Sequence, residues 1–159
     1  MKPALLDKKL RYPRSWSVLP SGIERKAIVE AELDEITQQF FGYHLVKVGN
    51  LSSELSLSKC SIKHCVNMVA KEHENASMRS LSRDMALKEN SVDGFVLAHE
   101  LDFAQDPHQI LREVDRAIMP DGDLVIVGFN PLSLTGLRKL VWFNSQSLLH
   151  EARFFSVPR

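Results

Sequence analysis

The chain has 159 residues, 44% hydrophobic and 25% charged, a composition that predicts one globular domain with its own core and excludes a disordered or fibrous chain. Its 20 basic residues balance 20 acidic ones, so no overall charge attracts nucleic acid or an anionic membrane. No stretch reaches the roughly 18 apolar residues of a membrane span, and the N-terminus lacks a signal-peptide pattern. We therefore expect a cytoplasmic protein.

The first 42 residues divide into an arm and a helix. Residues 1–20 hold three of the seven prolines together with Tyr12 and Trp16, which predicts an extended arm that packs through its aromatic rings. Ser21 and Glu24 then have the spacing of a capping box. Apolar residues recur behind them at helical intervals, at Val29, Leu33, Ile36 and Phe40. An amphipathic helix is therefore predicted over residues 21–42.

Residues 43–131 alternate short apolar runs with helical stretches. The runs at 44–48, 62–70, 94–101 and 124–129 predict four strands. Between the last two, Asp106 is placed to cap a helix, Pro107 suits its first turn, and the Pro-Asp-Gly at 120–122 predicts the turn that ends it. Continuous apolar strands joined by crossover helices are typical of an open α/β sheet that is covered on both faces.

Ligands bind such sheets at the carboxyl ends of the strands, where the strand order reverses. The residues at the carboxyl ends of the predicted strands and just after them are therefore the first functional candidates. They are Gly49 with Asn50, His99 with Glu100, and Phe129 with Asn130.

The two cysteines do not form a recognisable metal motif. Cys60 and Cys65 have His64 between them and His73 beyond, but the C-x4-C spacing matches no strong zinc pattern and a second ligand pair is missing. We expect two reduced thiols and no metal site.

Residues 90–131 contain several motifs in a fixed order. Asn90-Ser91-Val92-Asp93 leads into a strand, Asp106-Pro107 opens a helix that reads LREVDR, and Met119-Pro120-Asp121-Gly122 precedes the last strand. This series resembles the second half of the class I S-adenosylmethionine-dependent methyltransferases. It is most similar to the branch of the quinone-biosynthesis C-methyltransferases. The resemblance implies a Rossmann-like open parallel sheet, S-adenosylmethionine as cofactor and a small-molecule methyl acceptor.

The cofactor loop that the resemblance implies departs from the family pattern. The family's first loop usually reads hDhGCGxG, whereas here Gly49 is the only glycine and Lys47 stands where an acid is common. Gly49, Asn50 and Ser52 are the candidate cofactor contacts. Asn50 tolerates left-handed backbone angles, and Ser52 could hydrogen-bond a carboxylate at the start of the next helix.

Two further parts of the family's cofactor site are matched less closely. Only Glu72 and Glu74 are candidates for the acid that binds the ribose. Asp84 and Met85 are the candidates on the adenine side, with the alternative that Asp84 is a solvated loop carboxylate. The segment between the first loop and residue 93 is about ten residues shorter than the family commonly has, which predicts a trimmed crossover helix.

His99 and Glu100 stand where many family members place residues that face the transferred methyl group or the substrate. A histidine there could act as a general base, although His99 could instead pack at the rim of the sheet with Glu100 solvated. The sequence thus leaves two functions open. One is a methyltransferase, and the other is a methyltransferase-like binding or interaction module that has lost its cofactor, which the lone Gly49 favours. The absence of G-x-G-x-x-G disfavours a nicotinamide dehydrogenase.

Residues 132–159 predict a C-terminal helical segment with Leu134, Leu137 and Val141 on one face. Packing on the sheet or a lid over an apolar substrate would both use that face. No pattern for the family's C-terminal hairpin follows, so we expect a natural truncation or a fragment of a longer protein. An uncovered sheet edge would favour a homodimer.

Overall fold

A computed structural model describes residues 11–71 and 73–129 of the chain. The predicted C-terminal segment at 132–159 and the first ten residues of the arm lie outside them. In chain order the elements are a 3-10 turn at Trp16–Val18, helix α1 at Gly22–Thr37, strand β1 at His44–Val48, helix α2 at Asn50–Ser53, strands β2 at His64–Val69, β3 at Met78–Arg79 and β4 at Val92–Ala98, helix α3 at Pro107–Ala117 and strand β5 at Ile118–Val127.

The five strands form one sheet in the order β3-β2-β1-β4-β5. All neighbouring strands are parallel. The chain proceeds from β1 outward to β3 and then returns to the other side of β1 with β4, so the strand order reverses between β1 and β4. A reversal of this kind opens a crevice at the carboxyl ends of the two strands. The predicted Rossmann-like open parallel sheet is confirmed.

Both faces of the sheet are buried along its central strands, β1 and β4. Along β1, Leu45 packs with Trp16 on one face, while Val46 and Val48 pack on the other face in the cluster that contains Ile110 of α3. Successive side chains of a strand point to opposite faces, so covering both faces requires apolar residues at almost every position. This double burial explains why the central strands read as continuous apolar runs.

Helix α3 begins as the sequence predicts. The carboxylate of Asp106 accepts a hydrogen bond from the backbone N–H of Gln109 at 3.1 Å, and Pro107 occupies the first turn. The predicted turn at 120–122 is wrong, because the helix ends at Ala117 and β5 already runs through these residues. The pairing of β5 with β4 is irregular here, and an irregular register accommodates a proline that a regular ladder would not.

The capping box predicted for α1 is not formed. Ser21 has a left-handed backbone with φ of 51°, and its side chain makes no capping hydrogen bond. Its carbonyl still accepts the first helical hydrogen bond, from the N–H of Arg25 at 3.0 Å. A capping serine normally has extended backbone angles, so the spacing to Glu24 alone could not establish the motif.

The apolar face predicted for α1 is buried only in part. Leu33 and Phe40 lie in the core and Val29 packs against it, whereas Ile36 is 43% exposed. The helix ends at Thr37 instead of continuing to residue 42, so Phe40 enters the core from the loop before β1.

The trimmed crossover is confirmed. Helix α2 has four residues, and the described residues between β2 and β4 contain no helix. The two-residue strand β3 lies there instead, and its shortness left no pattern in the sequence. None of the helices in the described ranges is long and apolar enough to cross a membrane.

Candidate functional site

Gly49 directly follows β1, at the point where the strand order reverses. Its φ of 91° and ψ of 167° lie in a region that only glycine adopts readily. A Cβ atom added to Gly49 would lie 2.0 Å from Oε2 of Glu100 and 2.5 Å from the hydroxyl of Tyr12. The absence of a side chain at Gly49 therefore creates a cradle that these two polar groups enter, and we call it the Gly49 cradle.

The two polar groups in the Gly49 cradle lack hydrogen-bond partners. Within the described residues, neither Oε2 of Glu100 nor the hydroxyl of Tyr12 makes a hydrogen bond, although both atoms are buried. Burial raises the pKa of Glu100 to about 8, so its carboxyl is mostly protonated at neutral pH. Buried polar atoms without partners are rare in folded proteins, and their convergence marks a place where a polar ligand group can be held.

His99 directly follows β4 and precedes Glu100 in the chain, with a left-handed φ of 57°. Its Nδ1 donates a hydrogen bond to Oδ2 of Asp102 at 2.8 Å, and its ring stacks on Phe129 with centroids 4.1 Å apart. Trp16 contacts the same ring edge-on at 5.4 Å. A carboxylate only accepts hydrogen bonds, so the proton of a neutral ring lies on Nδ1 and the lone pair on Nε2.

Asp102 is a functional candidate that no sequence motif indicated. It is buried, and its Oδ2 also accepts the backbone N–H of Phe129 at 3.1 Å, which fixes the carboxylate between β4 and the end of β5. The available signal was its position three residues after His99, on the loop that leaves the carboxyl end of β4.

Asn50 and Ser52 bind other parts of the protein. Asn50 is the first residue of α2 and donates from Nδ2 to the carbonyl of Pro13 at 3.3 Å. The buried Ser52 accepts the backbone N–H of Ala98 at 2.7 Å. The left-handed backbone considered for Asn50 is not observed. In this loop Gly49 has the positive φ, and Asn50 is helical. Both side chains hold the loop in shape.

The adenine-side candidates have different environments. Asp84 is exposed in a tight turn, whereas Met85 is 3% exposed and lies in the core. The N–H of Met85 donates to Glu113 at 2.9 Å. Of the ribose candidates, Glu74 is exposed and Glu72 lies outside the described residues.

Lys47, which stands where the family commonly has an acid, lies outside the crevice. Its side chain is buried and Nζ donates to the carbonyl of Leu55 at 2.8 Å. Burial lowers the pKa of this lysine. Strand β1 thus supplies no acid to the Gly49 cradle.

The N-terminal segment, residues 11–20, covers the first loop. Trp16 is fully buried and donates from Nε1 to the carbonyl of Leu51 at 2.8 Å. Glu54 accepts hydrogen bonds from the hydroxyl of Ser15 at 3.2 Å and from the N–H of Trp16 at 3.3 Å. The predicted packing of the arm through its aromatic rings is confirmed for these residues.

A cavity of about 160 Å³ adjoins the cradle and joins three parts of the chain. Tyr12 forms one wall, the loop at 81–83 forms a second, and residues on the loop after β4 form a third, among them Glu100, Phe103 and Asp106. The cavity therefore connects the Gly49 cradle with the loop that precedes the adenine-side candidates.

The two thiols differ in exposure. Cys60 is buried and Cys65 is exposed, and both are free. Across residues 11–71 and 73–129, no three histidine, cysteine or acidic side chains are grouped to hold a metal ion.

Comparison with known proteins identifies a family that matches part of the chain. A family described as "Methyltransferase domain" matches residues 46–126, about half of the chain. "Uncharacterized protein YafS" of Escherichia coli (strain K12) is 37% identical over 159 residues. The chain spans 66% of that protein's length.

Solved structures share the fold. A SAM-dependent methyltransferase of Thermotoga maritima, titled a possible histamine N-methyltransferase, has a TM-score of 0.60 and 21% identity, over 86% of this chain and 70% of that one. The cyclase SpnF has a TM-score of 0.52 and 15% identity, over 62% of this chain and 43% of that one. At these identities the likeness concerns the fold alone. With the match over residues 46–126, the chain belongs to the methyltransferase domain family, with the class I fold.

Proposed function

We propose that the chain is an S-adenosylmethionine-dependent methyltransferase that acts on a small molecule. The observation that carries this proposal is the Gly49 cradle at the reversal of strand order, with two unpartnered polar groups inside it. Open parallel sheets bind their ligands at this position, and family membership supports the identity of the cofactor.

The residues of the cradle fit such a cofactor. Gly49 leaves the space beside its Cα to the polar ends of Glu100 and Tyr12, while Asn50 and Ser52 keep the loop in place. Asp84 and Met85 border the adenine side in this proposal. When bound, the cofactor supplies a methyl group on a positively charged sulfur, and the chain has to align the acceptor with that group.

His99 is the proposed general base. Asp102 fixes its ring so that Nε2 carries the lone pair, which can take a proton from an O–H or N–H methyl acceptor. The same carboxylate stabilises the positive charge that the ring then gains. Glu100 points into the Gly49 cradle, so we assign it to ligand binding in preference to proton transfer.

Domain organisation, cellular location and oligomeric state are proposed from the sequence. We propose a single domain over residues 1–159 that works in the cytoplasm and is related to the branch of the quinone-biosynthesis C-methyltransferases. The balanced charge gives nucleic acid no electrostatic advantage as a substrate. A homodimer is proposed through β5, which pairs only with β4 among the described strands.

One observation favours a second function, that of a methyltransferase-like binding module without turnover. The Gly49 cradle already holds the chain's own Glu100 and Tyr12, and Asn50 is bonded to the N-terminal segment. The cyclase SpnF shares the fold, so the fold by itself does not require methyl transfer.

Calorimetric titration with S-adenosylmethionine and S-adenosylhomocysteine separates these functions. We expect saturable heat with both ligands and a higher melting temperature in their presence, since a ligand that binds only the folded state stabilises it. NADH serves as a control that shares the adenosine part. Absence of heat and of a thermal shift at millimolar cofactor would contradict the methyltransferase proposal and favour the binding module.

A further inference from the structure

Two polar side chains from distant parts of the sequence converge on the Gly49 cradle. Glu100 reaches it from the end of β4, and Tyr12 reaches it from the N-terminal segment. Glu100 is 5% exposed, and neither Oε2 nor the tyrosine hydroxyl has a hydrogen-bond partner within the described residues. The carboxyl and the hydroxyl thus lack partners at the cradle, and both residues line the adjoining cavity of about 160 Å³.

The chemistry of this pair selects a particular ligand group. An ionised carboxylate accepts hydrogen bonds and favours a cation, and the tyrosine hydroxyl can donate to an anion. A zwitterionic α-amino acid carries both charges a few bonds apart. We propose that Glu100 and Tyr12 recognise the amino acid end of S-adenosylmethionine, with Glu100 binding the ammonium group and Tyr12 the carboxylate. This inference rests on the proposed function and assigns roles to two residues of the same site.

In this arrangement Glu100 supplies the carboxyl that strand β1 lacks. Lys47 takes that position and its Nζ is bonded to the carbonyl of Leu55 in the interior. Glu100 brings a carboxyl to the same loop from the neighbouring strand. Tyr12 can reach it because Trp16 holds the N-terminal segment on α2 through its hydrogen bond to Leu51. The segment is therefore part of the binding site.

Ligand binding should be coupled to a proton. Burial raises the pKa of Glu100 to about 8, so the free protein holds this carboxyl protonated at pH 7. An ammonium group in contact favours the ionised form, and the proton then leaves to solvent. The other titratable groups around Glu100 are Tyr12, Arg83 and Asp106 on the cavity walls and the neighbouring His99, whose ring is directed to Asp102.

Proton release can be counted by calorimetry in buffers of different ionisation enthalpy. At pH 7 we expect S-adenosylhomocysteine to bind with release of about one proton, and the release to disappear above about pH 9, where the free carboxyl is already ionised. Methylthioadenosine is the matched probe, because it keeps the nucleoside and the sulfur but lacks the amino acid end. It should bind without proton release.

Two conservative variants assign the effects to residues. Glu100→Gln should abolish proton release and weaken S-adenosylhomocysteine binding by about 10- to 100-fold, the usual range for a lost charge-assisted hydrogen bond, with methylthioadenosine binding unchanged. Tyr12→Phe should weaken S-adenosylhomocysteine by about 2- to 10-fold without changing the proton count. Asp121→Asn, at an exposed carboxyl, is the control and should match the parent.

The outcomes separate this inference from the proposed function. If S-adenosylhomocysteine binds the parent but Glu100→Gln keeps both its affinity and its proton count, the zwitterion inference is wrong and the cofactor proposal stands. If neither S-adenosylmethionine nor S-adenosylhomocysteine binds the parent, both are wrong. We expect Glu100→Gln to fold, because glutamine replaces a protonated carboxyl of equal size. Circular dichroism checks that the variant is folded.

Discussion

At the scale of single residues, the carboxyl of Glu100 links folding to pH. Its pKa is 4.5 in an exposed setting and about 8 in the folded protein, because burial disfavours the charged form. Between these pH values the folded state binds a proton that the unfolded state has lost. Stability therefore falls as pH rises through this window, by up to about 1.4 kcal/mol per pH unit, and the loss is complete above about pH 8.

Glu100→Gln removes this dependence and tests it. The variant should be more stable than the parent at pH 8, and the difference should shrink toward zero as pH falls to about 4.5, where both side chains are neutral. Urea unfolding from pH 5 to pH 9 measures the effect, with Asp121→Asn as the exposed control. Parallel stability curves for the parent and Glu100→Gln would contradict the raised pKa.

At the scale of elements, the two helix starts offer a matched comparison. Asp106 accepts the N–H of Gln109 at the start of α3, whereas Ser21 precedes α1 without a side-chain hydrogen bond. Asp106→Ala should cost about 1 kcal/mol, the usual value of a capping side chain, and Ser21→Ala should change stability by less than about 0.5 kcal/mol. Urea unfolding of both variants measures this, and equal losses would refute the difference in capping.

The same pair shows what sequence patterns can and cannot predict. Asp106 was predictable because a cap, a proline and a helical face coincide within a few residues. At Ser21 the spacing was present, but the backbone is left-handed, a property that the spacing does not encode. The β5 start was missed for a similar reason, because the irregular pairing with β4 accommodates a Pro-Asp-Gly that normally marks a turn.

The residues of the site also differ in whether the sequence could predict them. Gly49, His99 and Glu100 were predicted because parallel sheets place their functional residues after the strands, and the strands are visible as apolar runs. Asp102 needed the geometry of the loop after β4, where its carboxylate meets His99 and the N–H of Phe129. Tyr12 could not be predicted as a site residue, because it lies 37 residues before Gly49 in the chain and only the folded N-terminal segment brings the two together.

At the scale of the whole molecule, strand β5 forms one edge of the sheet among the described residues. Within the described residues β5 pairs only with β4, and alternate side chains on one of its faces are exposed, Leu124 by 40% and Ile126 by 45%. Edge strands offer backbone hydrogen-bonding groups to another chain unless charges or other segments prevent it. The chain carries no net charge that would oppose self-association at pH 7.

The proposed homodimer through β5 is therefore testable by sedimentation velocity over a range of concentrations. The parent should shift from monomer to dimer, and Ile126→Lys should remain monomeric, because two copies would bring added charges together at the pairing strands. Ile28→Lys is the matched control: Ile28 is 63% exposed on α1, far from β5 in sequence, and this variant should dimerise like the parent. A parent that stays monomeric would show that β5 does not join two copies. Equal effects of the two lysines would show the same, since only Ile126→Lys places a charge on β5.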